Sequence, residues 1–217
     1  MKPKLTIETL CQEAATFGKT ESQHAEPALY GVTDGKAVGT YLEHKFMRYL
    51  RDRYVFAEGN SAKGIDFPEL GVDLKVTSIK QPQSSCPFKS ARQKIFGLGY
   101  ALLVFVYEKS DDNDNRTGRL DILHTIFVVA ERTADYQTTT GIRRILDNNG
   151  NQDDLLAFLE ERMLPVDSVE AQSIVEEVLN KPPDIGYLTI SNALQWRLQY
   201  RRVIEKAGAV DGVIRIS

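Results

Sequence analysis

The run Tyr100–Glu108 reads Tyr-Ala-Leu-Leu-Val-Phe-Val-Tyr-Glu and carries no charge before its last residue. Successive side chains of a strand point to opposite faces, so a strand of this composition is buried on both sides. Residues 3–18 form an amphipathic pattern with Leu5, Leu10 and Phe17 among its apolar positions. From Lys36 to Tyr54, Val38, Leu42, Phe46, Tyr49 and Leu50 recur at helical spacing. Val72–Ser78 alternates as a strand, residues 79–90 and 110–118 read as loops, and Leu120–Ala130 reads as the next strand, a hairpin partner. Residues 138–146, 152–162 and 169–179 resemble helices, the last ended by Lys181-Pro182-Pro183. A helix at 190–206 and a short strand at 213–216 complete the tail. The predicted fold class is α/β (α+β), a central mixed β-sheet flanked by helices.

At 217 residues the chain is long enough to bury a substantial core and is read as one domain, with residues 181–217 as an appendage. Hydrophobic residues make up 42% and charged residues 26%, the balance of a soluble globular protein. No apolar run is long enough to cross a bilayer, and the N-terminus lacks a signal-peptide core. Cys11 and Cys86 are too few for a disulfide framework, and with 3 scattered histidines a zinc site is not expected. A reducing cytoplasm is the expected compartment. The net charge of -3 argues against a protein that simply coats nucleic acid. The charge is uneven, however: residues 108–180 hold 7 basic and 16 acidic side chains, while both ends are mildly basic. A localised DNA-facing surface is compatible with that distribution.

Chemistry concentrates in Asp66-Phe-Pro-Glu-Leu-Gly-Val-Asp73-Leu-Lys75. In a strand, Val72, Leu74 and Val76 enter the core while Asp73 and Lys75 share the other face. Pro68 and Gly71 bracket a turn that can fold Asp66 back beside that face. Two adjacent carboxylates repel unless a cation sits between them or one is protonated. A hard ion such as Mg²⁺ takes one or two carboxylates, keeps several waters and leaves room for a phosphate oxygen. Glu43 lies at the edge of the helix's apolar stripe, where its carboxylate can approach the same cavity. The same residues also fit an exposed strand face with an Asp/Lys pair and a solvated helix glutamate. Spacing alone leaves both readings open.

Gly35-Lys-Ala-Val-Gly-Thr-Tyr-Leu-Glu43, followed by Asp66–Lys75 and then Ala91-Arg92-Gln93-Lys94, resembles the active-site region of the MutH-type mismatch-repair nickase. It is similar, too, to type II restriction endonucleases of the PD-(D/E)XK nuclease superfamily. The resemblance covers about residues 35–107. It implies that Asp66 bridges the metal, that Asp73 is the second acidic ligand, and that Lys75 is the motif lysine. Glu43 would be the helix glutamate of the metal site, and Lys94 a further active-site lysine. Asp73 stands where the nickase has Glu, and Ile65 where the superfamily has Pro. The implied activity is Mg²⁺-dependent hydrolysis of double-stranded DNA at a specific sequence, that of a type II restriction enzyme. The alternatives are a MutH-type nicking enzyme and a non-catalytic DNA-binding module. The implied setting is a prokaryotic cytoplasm, with DNA as partner, no membrane, and a monomer or homodimer. Lys89 and Arg92 are candidate phosphate contacts. Arg197 and Arg201, one turn apart on the predicted tail helix, are candidate DNA contacts, or else they solubilise a helix whose core face is Trp196, Tyr200 and Val203. Loops 110–118 and 132–141 are candidate base-reading segments by position.

Overall fold

The computed structural model describes residues 2–59, 64–86, 90–191 and 196–217, with the backbone alone at Trp196. Its helices begin where short polar side chains satisfy the free N–H groups of the first turn. Helix α1 (Ile7–Glu21) is capped reciprocally by Thr6 and Thr9, and α2 (Gly35–Arg51) by Asp34. Asp135, Asn151 and Asp167 cap α4 (Tyr136–Asp147), α5 (Gln152–Glu161) and α6 (Ser168–Asn180). Each such cap contributes about 1 kcal/mol. The short helices α3 (Gln93–Phe96) and α7 (Arg201–Lys206) have no side-chain cap.

The main sheet runs β1-β5-β4-β2, from Ala25–Glu26 through Thr117–Val128 and Ala101–Asp112 to Val72–Ser78, and β8 (Val213–Arg215) also pairs β5. Strands β2 and β4 are parallel and the other pairings antiparallel, so the sheet is mixed. A small second sheet, β3-β7-β6, is built from Gln83–Cys86, Trp196–Gln199 and Thr189–Ile190. The apolar run lies in β4 and separates two cores. Leu103, Phe105 and Tyr107 pack with Phe17, Leu42, Phe46 and Leu50 of α1 and α2. Leu102, Val104 and Val106 pack with Leu188, Leu198, Tyr200 and Val203 beneath the small sheet. A third core joins Ile95 to the helices α4–α6 through Ile142, Leu155 and Ile174. The central mixed sheet flanked by helices is the predicted fold class.

The tail departs from expectation. The predicted helix over 190–206 is instead β6, β7 and a short α7, with 192–195 outside the described residues. Tyr200 and Val203 are core, as their spacing suggested, but Leu198 is buried too while Arg197 and Gln199 are exposed. That alternation is a strand's, and the strand forms because β3 supplies a partner more than 100 residues away. For the same reason the predicted loop 79–90 contains β3. The 110–118 segment is the end of the β4–β5 hairpin, closed by Asp112 accepting from the backbone of Asp114 and Asn115. Asp111, Asp112 and Asp114 lie at its tip, beside Arg116. Among the described residues no helix is long and apolar enough to cross a membrane.

Candidate active site

The turn before β2 does what its Pro and Gly suggest. Phe67 and Val72 exchange backbone hydrogen bonds of 2.9 and 3.2 Å, and Gly71 adopts φ +62°, a conformation strained for any residue with a Cβ. The chain is thereby reversed, and the backbone N–H of Leu74 donates to Asp66 Oδ2 at 2.9 Å. Gly59 donates its own N–H to the Asp66 carbonyl at 2.9 Å, so close that an added Cβ would meet the Ile65 oxygen at 1.8 Å. Asp66 is thus held from both sides by backbone. Strand alternation turns Asp73 and Lys75 to one side of β2, and Lys75 Nζ lies 2.6 Å from Asp73 Oδ2. The face they occupy is enclosed: Asp73 is only 3% exposed. Together with Glu43 from α2, these residues line a cavity of about 290 Å³ that also includes Gly59, Gly64 and Ile65.

Crowding of acids governs the electrostatics. Burial pushes the Glu43 carboxyl up to about 7, reinforced by Asp66 and Asp73 and opposed by Lys75. Asp73 is raised to about 6, first by burial, against the pull of Lys75, and with a hydrogen bond to Asp66 favouring its protonated form. Burial alone would lower the Lys75 amine; Asp73, Asp66 and Glu43 together outweigh it and hold the amine above its ordinary value. Lys75 is therefore a fixed positive charge in this site. A carboxyl–carboxyl hydrogen bond needs a shared proton, and a divalent cation can replace that proton. Among the described residues no three His, Cys, Asp or Glu side chains stand as a ready-made metal cage. The donor set suits an ion that takes one or two carboxylates and completes its shell with water, as Mg²⁺ does.

The remaining predicted residues lie elsewhere. Lys94 is 5% exposed on α3, and the charges it senses are Asp135 and Arg162, not the acids of the site. It does not line the cavity, because the helix that carries it packs against α4 instead. The Arg92 guanidinium is engaged by Glu177 of α6 and lies over the Phe96 ring. Lys89 falls outside the described residues. Arg197 is on β7 and Arg201 on α7, where it pairs with Glu205 at 3.3 Å, so the two do not share a helix face. A larger cavity of about 840 Å³ between α4 and α5 has Arg144, Asp154 and Arg162 on its walls and none of the acidic group. Close to Asp73 lie two tyrosines outside the motif, Tyr100 and Tyr200, the second expected only as core. The fully buried Tyr200 hydroxyl lies 2.5 Å from Ser84 Oγ, and the Tyr100 hydroxyl faces Cys86. Burial raises both tyrosines, and the charge of Asp73 adds to it.

A central mixed sheet flanked by helices is consistent with a restriction-endonuclease-like core. Comparison with known proteins agrees. The family described as "Type II restriction enzyme NspV" matches residues 4–215. The chain is 67% identical over 212 residues to the type II restriction enzyme NspV of Nostoc sp. (strain ATCC 29411 / PCC 7524), covering 98% of this chain and 96% of that protein. No solved structure matches. The chain belongs to the NspV family of type II restriction enzymes, and it is a site-specific deoxyribonuclease that binds DNA.

Proposed function

We propose that Asp66, Asp73, Lys75 and Glu43 form a PD-(D/E)XK site that hydrolyses phosphodiester bonds in both strands of DNA with Mg²⁺ as cofactor. The reading is carried by one observation: an aspartate held by the β2 backbone faces a buried Asp–Lys pair in a small cavity. Asp66 and Asp73 would hold the ion, with Glu43 completing the acidic wall. When bound, Mg²⁺ supplies Lewis-acid polarisation of the phosphate and a more acidic water. Lys75, kept protonated by its neighbours, orients the attacking water and offsets charge building on the phosphoryl oxygens. Asp73 positions that amine through their ion pair, and the turn through Gly71 fixes Asp66 against the backbone. Water attacks phosphorus and releases a proton to solvent, the bond to the leaving sugar oxygen breaks, and that oxygen takes up a proton from a solvent water. The setting we infer is the cytoplasm of a prokaryotic cell, with a monomer or homodimer acting on duplex DNA.

The test is digestion of phage DNA with and without Mg²⁺. Discrete fragments with defined ends are expected from the wild type, and none from Asp66→Asn or Lys75→Ala, both still binding DNA. Undiminished cleavage by Asp66→Asn would refute the assignment.

A further inference from the structure

The small sheet has a solvent face unlike its inner one. In β7, Arg197 and Gln199 are exposed, whereas Leu198 and the following Tyr200 are buried. In β3, Ser85 is exposed and Cys86 buried, and Ser84 turns inward to Tyr200. The antiparallel register sets Gln83 opposite Gln199 and Ser85 opposite Arg197, so these four side chains share one face. Thr189 of β6, opposite Gln199, joins them. Two amides, two hydroxyls and one guanidinium occupy this face, with no carboxylate among the described residues. No described carboxylate pairs with Arg197, whereas Arg201 is tied to Glu205 and Arg202 to Thr189 and the Tyr136 ring.

We propose that this outer face of the β3–β7 ribbon reads base edges in the major groove of the target duplex. The groove admits a two-stranded antiparallel ribbon, and β3 and β7 form one over four residue pairs with only the two-residue β6 beyond it. There a guanidinium pairs with guanine and a side-chain amide with adenine. Arg197 takes a guanine; Gln83 and Gln199 take adenines. The face suits base edges, which both donate and accept, because its amides and hydroxyls do both, with Arg197 unpaired by a described carboxylate and Arg202 held against Thr189. Its position is also apt. Only residues 79–82 separate β2, which carries Asp73 and Lys75, from β3, and the ribbon's buried side packs Cys86, Leu198 and Tyr200 onto Leu102 and Val104 of β4, the strand paired with β2. A base contact on the outside is therefore one layer from the catalytic strand. The inference rests on placing cleavage at Asp66, Asp73 and Lys75.

Sequencing the ends of wild-type digestion products defines the cognate site. Single-turnover cleavage is then measured on that duplex and on duplexes with one base pair replaced, for Arg197→Ala, Arg197→Lys, Gln83→Ala and Gln199→Ala. Arg197→Lys keeps the charge but loses the two-pronged donor. Both Arg197 variants are expected to lose about 10- to 100-fold discrimination at one G·C pair, and the Gln variants similarly at A·T pairs. The salt dependence of binding by Arg197→Lys should match wild type. Unchanged discrimination at every position would overturn the proposal. So would uniform weakening with a salt slope reduced by about one in Arg197→Ala, the mark of a phosphate contact. Loss of cleavage on all duplexes with intact binding would also count against it. If Arg197→Ala melts early, Arg197→Lys decides. Wild-type discrimination is the reference, so cleavage by Asp66→Asn would sink the site assignment without being mistaken for failure here.

Discussion

Glu43→Gln makes the sharpest demand on the electrostatic account of the site. In the folded protein the Glu43 carboxyl titrates at about 7, against 4.5 when free. The folded state therefore binds more protons than the unfolded chain between those values, and stability falls as pH rises through that window. It is level above about 7. At about 1.4 kcal/mol per pH unit, ionised Glu43 costs the metal-free protein about 3 kcal/mol at pH 8 and under about 1 kcal/mol at pH 5. Glutamine keeps the shape and cannot ionise. In the presence of a chelator, Glu43→Gln should melt about 6–12 °C above wild type at pH 8, with the gap mostly closed at pH 5. Mg²⁺ should narrow the gap at pH 8 by stabilising wild type more than the variant, because positive charge among the acids offsets their repulsion. Thermal unfolding followed by circular dichroism gives all these values. A variant no more stable at pH 8 than at pH 5, relative to wild type, would show that Glu43 is ionised without penalty and that the acids are not crowded.

Gly59→Ala should lose cleavage and about 1–3 kcal/mol of stability, because its methyl meets the Ile65 carbonyl and displaces Asp66; plasmid digestion and urea unfolding measure the two effects. Tyr200→Phe removes a hydroxyl that partners Ser84 in a fully buried position, and a urea midpoint corresponding to a loss of about 1–2 kcal/mol is expected. Arg92→Ala should cost under about 1 kcal/mol, since its ion pair with Glu177 is partly exposed, and should leave DNA affinity within about twofold in a mobility-shift titration.

The residues of the site were legible as a short linear pattern because the turn that assembles Asp66 with Asp73 and Lys75 is local. Pro68, Gly71 and the period of two in β2 suffice to set it, and the strand spans the predicted Val72–Ser78. The buried run of β4 likewise showed its two-sided packing in composition alone. Three things lay beyond reach. Lys94 follows the motif in sequence but travels with α3 toward Asp135, since its backbone is anchored to α4 by the Asp135 N–H bond to the Lys94 carbonyl. The enclosure that raises Glu43 comes from a helix and a strand packed from different parts of the chain, and burial has no sequence period. The β3–β7 ribbon depends on pairing residues 83–86 with 196–199. Residues 196–203 carry apolar spacings that suit a helix as well as a strand. Local spacing determined which acids and which amine meet; long-range strand pairing decided what surrounds them, because a strand's hydrogen bonds are satisfied only by a partner that sequence proximity does not supply.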